Sequence, residues 1–291
     1  MKRRQFNLKA ISLLAALTLP LLASHAMAQQ SVLRVGLGPQ QPTAADTQRV
    51  WEPIYKAIAD KVGAKLELRV ANDWAGISTA LANEQLDVAQ MGPWGYVLAN
   101  RNGGARIINT MLVNGKPFYK AIIVGRADLK VADFPKGAKG LSMQMLDVGS
   151  TSGWLVPTYM LKQAGIDPKS FFGKYAEGAS AAAAQMATIN GQVDLATGWD
   201  THRNIMIRNG TIKDTDNKVV WESEPLPNEV VAVRKGMSPE MAKRIQDAFV
   251  AITTEAIAKD LPYPYTGYIA ATDEPYQILV KMGLELGALK P

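Results

Sequence analysis

From Val32 to Ala89, short apolar or alternating runs take turns with runs of helical period, and this alternation constrains the fold more than any other feature of the chain. Val32 to Leu37 reads as a strand, Leu66 to Val70 as a second and Leu86 to Ala89 as a third. Between them, Val50, Ile54, Ile58 and Val62 stand four apart on one helix face, and Ile77 to Leu86 reads as another helix. Strand, helix, strand, helix, strand predicts a parallel sheet with covering helices, whose ligands sit beyond the carboxyl ends of the strands.

The second half carries a faint copy of the first. Asn83-Glu84-Gln85-Leu86-Asp87-Val88-Ala89 is echoed by Asn190-Gly191-Gln192-Val193-Asp194-Leu195-Ala196, and Asn100-Arg101-Asn102-Gly103 by Ile207-Arg208-Asn209-Gly210. Two α/β lobes of similar plan, facing each other across a cleft, account for the echo. Tyr119 to Gly125 and Val230 to Arg234 are β-rich runs that can cross between lobes as a two-segment hinge. One lobe is then 29–124 plus 235–291, and the other 125–234. Met237 to Asp260 reads as a long helix capped by Ser238 with Pro239 in its first turn, packed on the first lobe. The tyrosines of Tyr263 to Tyr268 read as surface packing in a loop.

Met1 to Ala28 combines Lys2, Arg3 and Arg4 with an apolar run from Ile11 to Ala23 and an Ala26-Met27-Ala28 end, the plan of a secretory signal peptide. Arg3-Arg4-Gln5-Phe6-Asn7-Leu8-Lys9 also resembles a twin-arginine export signal. Processing near Ala28 would release a periplasmic, water-soluble product of 263 residues starting near Gln29, with 28 basic and 26 acidic residues. That near balance gives no nucleic-acid surface, and any anion site must be local. Cys is absent, which excludes a disulfide framework and thiolate metal sites, and no cofactor motif is present. His202 is the one histidine left after processing, and it reads as a surface or outer-layer residue. Ser150 lacks a Gly-x-Ser-x-Gly setting, so catalysis is not expected.

Gly149-Ser150-Thr151-Ser152-Gly153-Trp154 falls between a strand-like run, Leu141 to Val148, and a helix-like run, Leu155 to Ala164. Hydroxyl residues cap helix starts, and free N–H groups there suit an oxyanion, so Ser150, Thr151 and Ser152 read as both cap and anion donors. Trp74, Trp94 and Tyr96 can pack against a small apolar part of a ligand, and Tyr119 can point its hydroxyl into the cleft. Asp200 would select an oxyanion that keeps a proton, as phosphorus oxyacids do near neutral pH and sulfate does not. Whether His202 or Glu229 contacts the ligand is left open by the sequence.

These residues resemble the periplasmic phosphonate- and phosphite-binding proteins of ABC importers. The likeness is carried by Gly149-Ser150-Thr151-Ser152-Gly153 with Leu155-Val156-Pro157, by Asp73-Trp74-Ala75-Gly76, and by Gly92-Pro93-Trp94-Gly95-Tyr96. It implies a two-lobed venus-flytrap fold of type II-like plan, ligand oxygens on Ser150, Thr151 and Ser152, aromatic walls from Trp74 and Tyr119, and a carboxylate near Asp200 taking the ligand's proton. The partner implied is an inner-membrane permease, served by a monomer. Ala181 to Ala184 stand where aminoalkylphosphonate binders have a histidine, and bulky Tyr96 replaces a small residue, so a compact ligand is expected. Phosphite comes first, with methylphosphonate and hypophosphite behind it; a sulfonate or thiamine-precursor binder is the organic alternative.

Overall fold

The computed structural model describes residues 31–290. The expected signal segment and the expected processing point near Ala28 lie outside the described residues. In chain order the elements are β1 (Val32–Leu37), α1 (Ala44–Lys61), β2 (Lys65–Val70), α2 (Trp74–Ala82), β3 (Val88–Met91), α3 (Pro93–Gly103), β4 (Arg106–Val113), β5 (Phe118–Tyr119) and β6 (Ala121–Arg126). The chain continues through β7 (Ser142–Leu146), a wide turn at Thr151–Leu155 leading into α4 (Val156–Gln163), α5 (Pro168–Phe171), β8 (Lys174–Ala179), α6 (Ala181–Ile189), β9 (Leu195–Trp199) and α7 (Asp200–Arg208). It ends with β10 (Asn217–Glu222), β11 (Leu226–Pro227), β12 (Val230–Val233), α8 (Pro239–Ile252), β13 (Tyr265–Ala270) and α9 (Gln277–Leu286).

Two sheets form. One runs β13-β4-β12-β3-β1-β2 and the other β10-β6-β9-β7-β8. The parallel core expected from the alternation is present: β1 pairs in parallel with β2 and β3, and β7 does the same with β8 and β9. In each sheet the next strand, β12 or β6, is antiparallel and has crossed over from the other lobe. The internal echo is therefore structural. Asp87 accepts from the backbone N–H of Arg34 at 2.9 Å, and Asp194 from that of Ser142 at 2.8 Å, each tying the third strand of its lobe to the first. The N–H of Arg234 donates to the Asp87 carbonyl and that of Arg126 to the Asp194 carbonyl, both at 3.1 Å.

Sheet membership moves the lobe boundaries. The expected division at 124/125 falls inside β6, which belongs wholly to the second sheet, and β12, expected in the hinge and the second lobe, is wholly in the first. The crossings lie at 114–120 and 223–229. There β5 pairs with β11, Tyr119 opposite Leu226, in a two-stranded ribbon of its own.

Each lobe has its own core, Trp51, Ile54, Phe249 and Tyr268 in the first and Ile123, Met143, Leu161 and Leu195 in the second. A third cluster joins Trp74, Trp94 and Tyr276 to Leu155, Val156 and Trp199 across the cleft. Each fully buried large side chain of this kind contributes about 1.5–3 kcal/mol. Helix α1 starts before Val50 because the Thr43 hydroxyl caps it, accepting from the Asp46 N–H at 3.0 Å. Helix α8 is shorter than expected, ending at Ile252, but Ser238 caps it and Pro239 opens it as expected. Tyr265 and Tyr268 are not surface residues. They lie in edge strand β13 and are buried, with Gly267 at φ +145° where the register shifts. No helix among the described residues is long and apolar enough to cross a membrane.

Candidate functional site

The carboxyl ends of the parallel strands meet where the lobes touch, and a small cavity lies there. Trp74, Gly92, Tyr119, Ser150, Thr151, Ser152, Trp199 and Glu229 line it. Its volume is about 10 Å³, roughly the measure of one water. No Lys or Arg is among these lining residues.

The local sequence explains how the hydroxyls are set. Ser150 caps the helix start, its Oγ accepting from the Gly153 N–H at 3.1 Å, and the Leu155 N–H donates five residues back to the Ser150 carbonyl at 3.0 Å. This wide first turn seats against β7 through Gly153, where a Cβ would come within 2.3 Å of the Leu146 side chain. Thr151 Oγ1 accepts from the Trp94 N–H of the other lobe at 2.8 Å. Both hydroxyls thus have an acceptor position filled by a backbone N–H, which leaves their protons free to donate. Burial raises the Tyr119 phenol above its ordinary value, and the Ser152 and Thr151 hydroxyls beside it act in the opposite direction.

The lobes are held together at the cavity's edge. The Trp94 indole N–H donates to the Val148 carbonyl at 3.1 Å, and the Ala75 N–H to Asp147 Oδ1 at 3.2 Å. At Gly149 a Cβ would lie 2.3 Å from the Ala75 nitrogen, so the approach of the two backbones requires glycine there. Asp73 caps α2, accepting from the Gly76 N–H at 2.6 Å, and so places Trp74 in the first turn. The Trp74 ring meets Trp199 edge to face at 6.0 Å between centroids.

Five of the seven residues expected at the site, Trp74, Tyr119, Ser150, Thr151 and Ser152, line this cavity. Tyr96 and Asp200 do not. Tyr96 is buried on α3 and donates its phenol proton to Asp273 while packing edge to face on Tyr276 at 5.8 Å. Asp200 is engaged by the hinge: its Oδ1 accepts from the N–H of Lys120 at 3.2 Å and of Thr201 at 2.6 Å, and its own N–H donates to the Lys120 carbonyl at 3.1 Å. The carboxyl in the cavity is that of Glu229, which stands just before β12. It is buried, and Oε2 accepts from Gln40 Nε2 at 2.7 Å. Burial pushes its pKa up from 4.5 to about 8, against the opposing influence of the Gln90 amide. The shift favours the protonated carboxyl at neutral pH. Gly92 and Trp199, the last residue of β9, also line the cavity; both lie in strand-end segments expected at the cleft, without a ligand contact of their own in the sequence reading. His202 is buried rather than exposed, and burial lowers its pKa to about 4, so the imidazole is neutral.

Residues 36–276 match the family of periplasmic substrate-binding proteins of ABC phosphonate transporters. The chain belongs to that family. As a member of the phosphonate-binding family it is a periplasmic substrate-binding component of an ABC importer. It is 28% identical over 217 residues to the phosphate-import protein PhnD of Mycolicibacterium smegmatis, covering 71% of this chain and 67% of that one. A binding protein component of an ABC phosphonate transporter from Pseudomonas aeruginosa has the same fold, with a TM-score of 0.80 at 24% identity over 88% of this chain and 86% of that one. PhnD1 from Prochlorococcus marinus, solved in complex with methylphosphonate, superposes with a TM-score of 0.76 at 19% identity, covering 89% of this chain and 99% of that one. These relatives are transport proteins, and their names span phosphate and phosphonate ligands. The α/β two-lobed fold of the phosphonate-binding family is the fold observed here.

Proposed function

We propose that the cavity binds a phosphorus oxyanion with three oxygens and one small apolar substituent, phosphite in the first place, and that the lobes hinge about the β5–β11 ribbon to enclose it. The observation that carries this reading is the cavity's division into two kinds of wall. Ser150, Thr151, Ser152 and Tyr119 present hydroxyls, while Trp74 and Trp199 present indole rings. Three oxygens meet the hydroxyl wall, and a P–H or P–CH₃ group faces the indoles. Without a cation, the charge is offset by donors and by the proton on Glu229, which hydrogen-bonds to a ligand oxygen. The narrow space favours hydrogen over methyl on phosphorus, which places phosphite before methylphosphonate.

Thr151 links binding to closure, since its hydroxyl both lines the cavity and accepts from Trp94 of the other lobe. A ligand held by that hydroxyl favours the closed form, which docks on an inner-membrane permease. The test is isothermal titration of processed protein, exchanged free of bound anion, with phosphite, methylphosphonate, hypophosphite, phosphate and sulfate at pH 7. Phosphite binding at micromolar or tighter affinity, with phosphate and sulfate weaker, is expected. Silence towards all five would overturn the reading.

A further inference from the structure

We infer that Trp199 is a specificity-determining residue: its indole walls the oxyanion cavity off from a second, uncharged chamber between the lobes and so limits the substituent on phosphorus. The inference rests on the oxyanion reading above and concerns which ligands of that class are admitted. The chamber has a volume of about 170 Å³ and is lined by residues of both lobes, among them Pro39, Gln41, Asn72, Ser180, Ala182 and His202.

The cavity and the chamber are immediate neighbours at three places in the chain. Trp199 lines the cavity, and its ring lies 4.8 Å from the imidazole of His202, which lines the chamber. Ala71 and Asn72 line the chamber just before Trp74 lines the cavity. Pro39 lines the chamber, while a Cβ on its neighbour Gly38 would sit 2.1 Å from the Trp74 ring. Trp74 and Trp199, each close in the chain or in ring contact with a chamber residue, form the edge-to-face pair on the cavity side. A substituent longer than one carbon meets indole before it reaches the chamber.

The chamber's chemistry states what it would take if opened. No Asp, Glu, Lys or Arg is among its lining residues, and burial keeps His202 neutral. A neutral alkyl tail fits such a lining. An alkylammonium tail gains no ion pair there, because no carboxylate is among the lining residues.

The experiment compares the wild type with Trp199→Ala by isothermal titration with phosphite, ethylphosphonate, propylphosphonate and 2-aminoethylphosphonate. Affinities are read as ratios to phosphite, so a general weakening from loss of the indole cancels. The ratio for propylphosphonate is expected to improve at least tenfold in W199A, about what two newly buried methylenes supply, with no such gain for 2-aminoethylphosphonate. Ala182→Leu added to W199A fills the chamber and is expected to reverse the gain. An unchanged propylphosphonate ratio, an equal gain for the amine, or a gain that A182L leaves intact each overturns the inference. If W199A does not fold, Trp199→Phe carries the test with ethylphosphonate, where a threefold gain supports the inference and none overturns it. A wild type that binds no phosphorus oxyanion overturns the proposed function itself; a wild type that binds phosphite beside a variant with no gain overturns only the role of Trp199.

Discussion

Replacing Glu229 by Gln tests the charge state of the cavity, and the sign of its effect follows from where the proton is held. In the unfolded chain this carboxyl releases its proton near pH 4.5, whereas burial keeps the proton in the fold until about pH 8. Between these values the folded state binds more protons than the unfolded one, so stability falls as pH rises. One pH unit of displacement corresponds to about 1.4 kcal/mol, so the ligand-free wild type is expected to lose on the order of 5 kcal/mol relative to E229Q across the window. The amide keeps an oxygen for the Gln40 Nε2 donor at 2.7 Å, which keeps the comparison close to isosteric. Urea unfolding followed by tryptophan fluorescence at pH 5, 7 and 9 measures the difference. The same proton governs affinity: wild-type binding of phosphite is expected to weaken about tenfold per pH unit above pH 8, while E229Q stays flat there. A stability difference that does not vary with pH, or an equal alkaline loss of affinity in both proteins, would refute the assignment of the proton to Glu229.

Two further substitutions test the link between ligand and closure. Thr151→Val keeps the shape but removes the ligand donor and leaves the buried Trp94 N–H without its 2.8 Å acceptor. At about 1–3 kcal/mol for each lost partner, titration is expected to show phosphite affinity reduced by roughly 10²-fold or more; an affinity within threefold of wild type would remove Thr151 from the site. Gly149→Ala places a methyl where only 2.3 Å separates it from the Ala75 nitrogen of the facing lobe. Small-angle scattering is expected to show no compaction of G149A with phosphite at a concentration that saturates the wild type, and a normal contraction would show that the contact does not limit closure.

What the sequence made legible follows the range over which each feature is determined. The Ser150–Ser152 turn is local: glycines, hydroxyls and the flanking runs fix a capped helix start without reference to distant residues. The Asp87 and Asp194 echo is equally readable, because each aspartate ties equivalent strands of its own lobe. The choice of carboxylate was a long-range question. Asp200 stands at a strand end, where a ligand group belongs, yet the neighbouring backbone of Lys120 and Thr201 occupies its oxygen. Glu229 gains its environment from Gln40, 189 positions away, and no periodicity marks such a contact. Tyr96 is turned from the cavity by Asp273, 177 positions away. Tyr265 and Tyr268 were hidden by Pro264 and Gly267, which read as a loop although the register shift at Gly267 lets the edge strand continue. Burial of β13 depends on α8 packing over it through Phe249, whose ring lies 4.8 Å from that of Tyr268.

The cavity's selectivity is best understood by counting oxygens rather than charges. A protonated Glu229 can donate to sulfate as readily as to phosphite, so a proton on the ligand does not separate the two. The indoles do. Phosphate and sulfate carry a fourth oxygen that must face Trp74 or Trp199 whenever three oxygens occupy the hydroxyl wall. Where that oxygen meets the carbon face of either ring rather than an indole N–H, it finds no donor. An oxygen buried without a partner costs about 1–3 kcal/mol, a factor of roughly 5 to 150 in affinity. A P–H group in the same place costs nothing of this kind and gains contact with the rings. A site without a cation thus discriminates by what it leaves unsolvated, and its preference for phosphite over phosphate should persist at pH 9, where phosphite binding has weakened but the fourth oxygen is still unpaired.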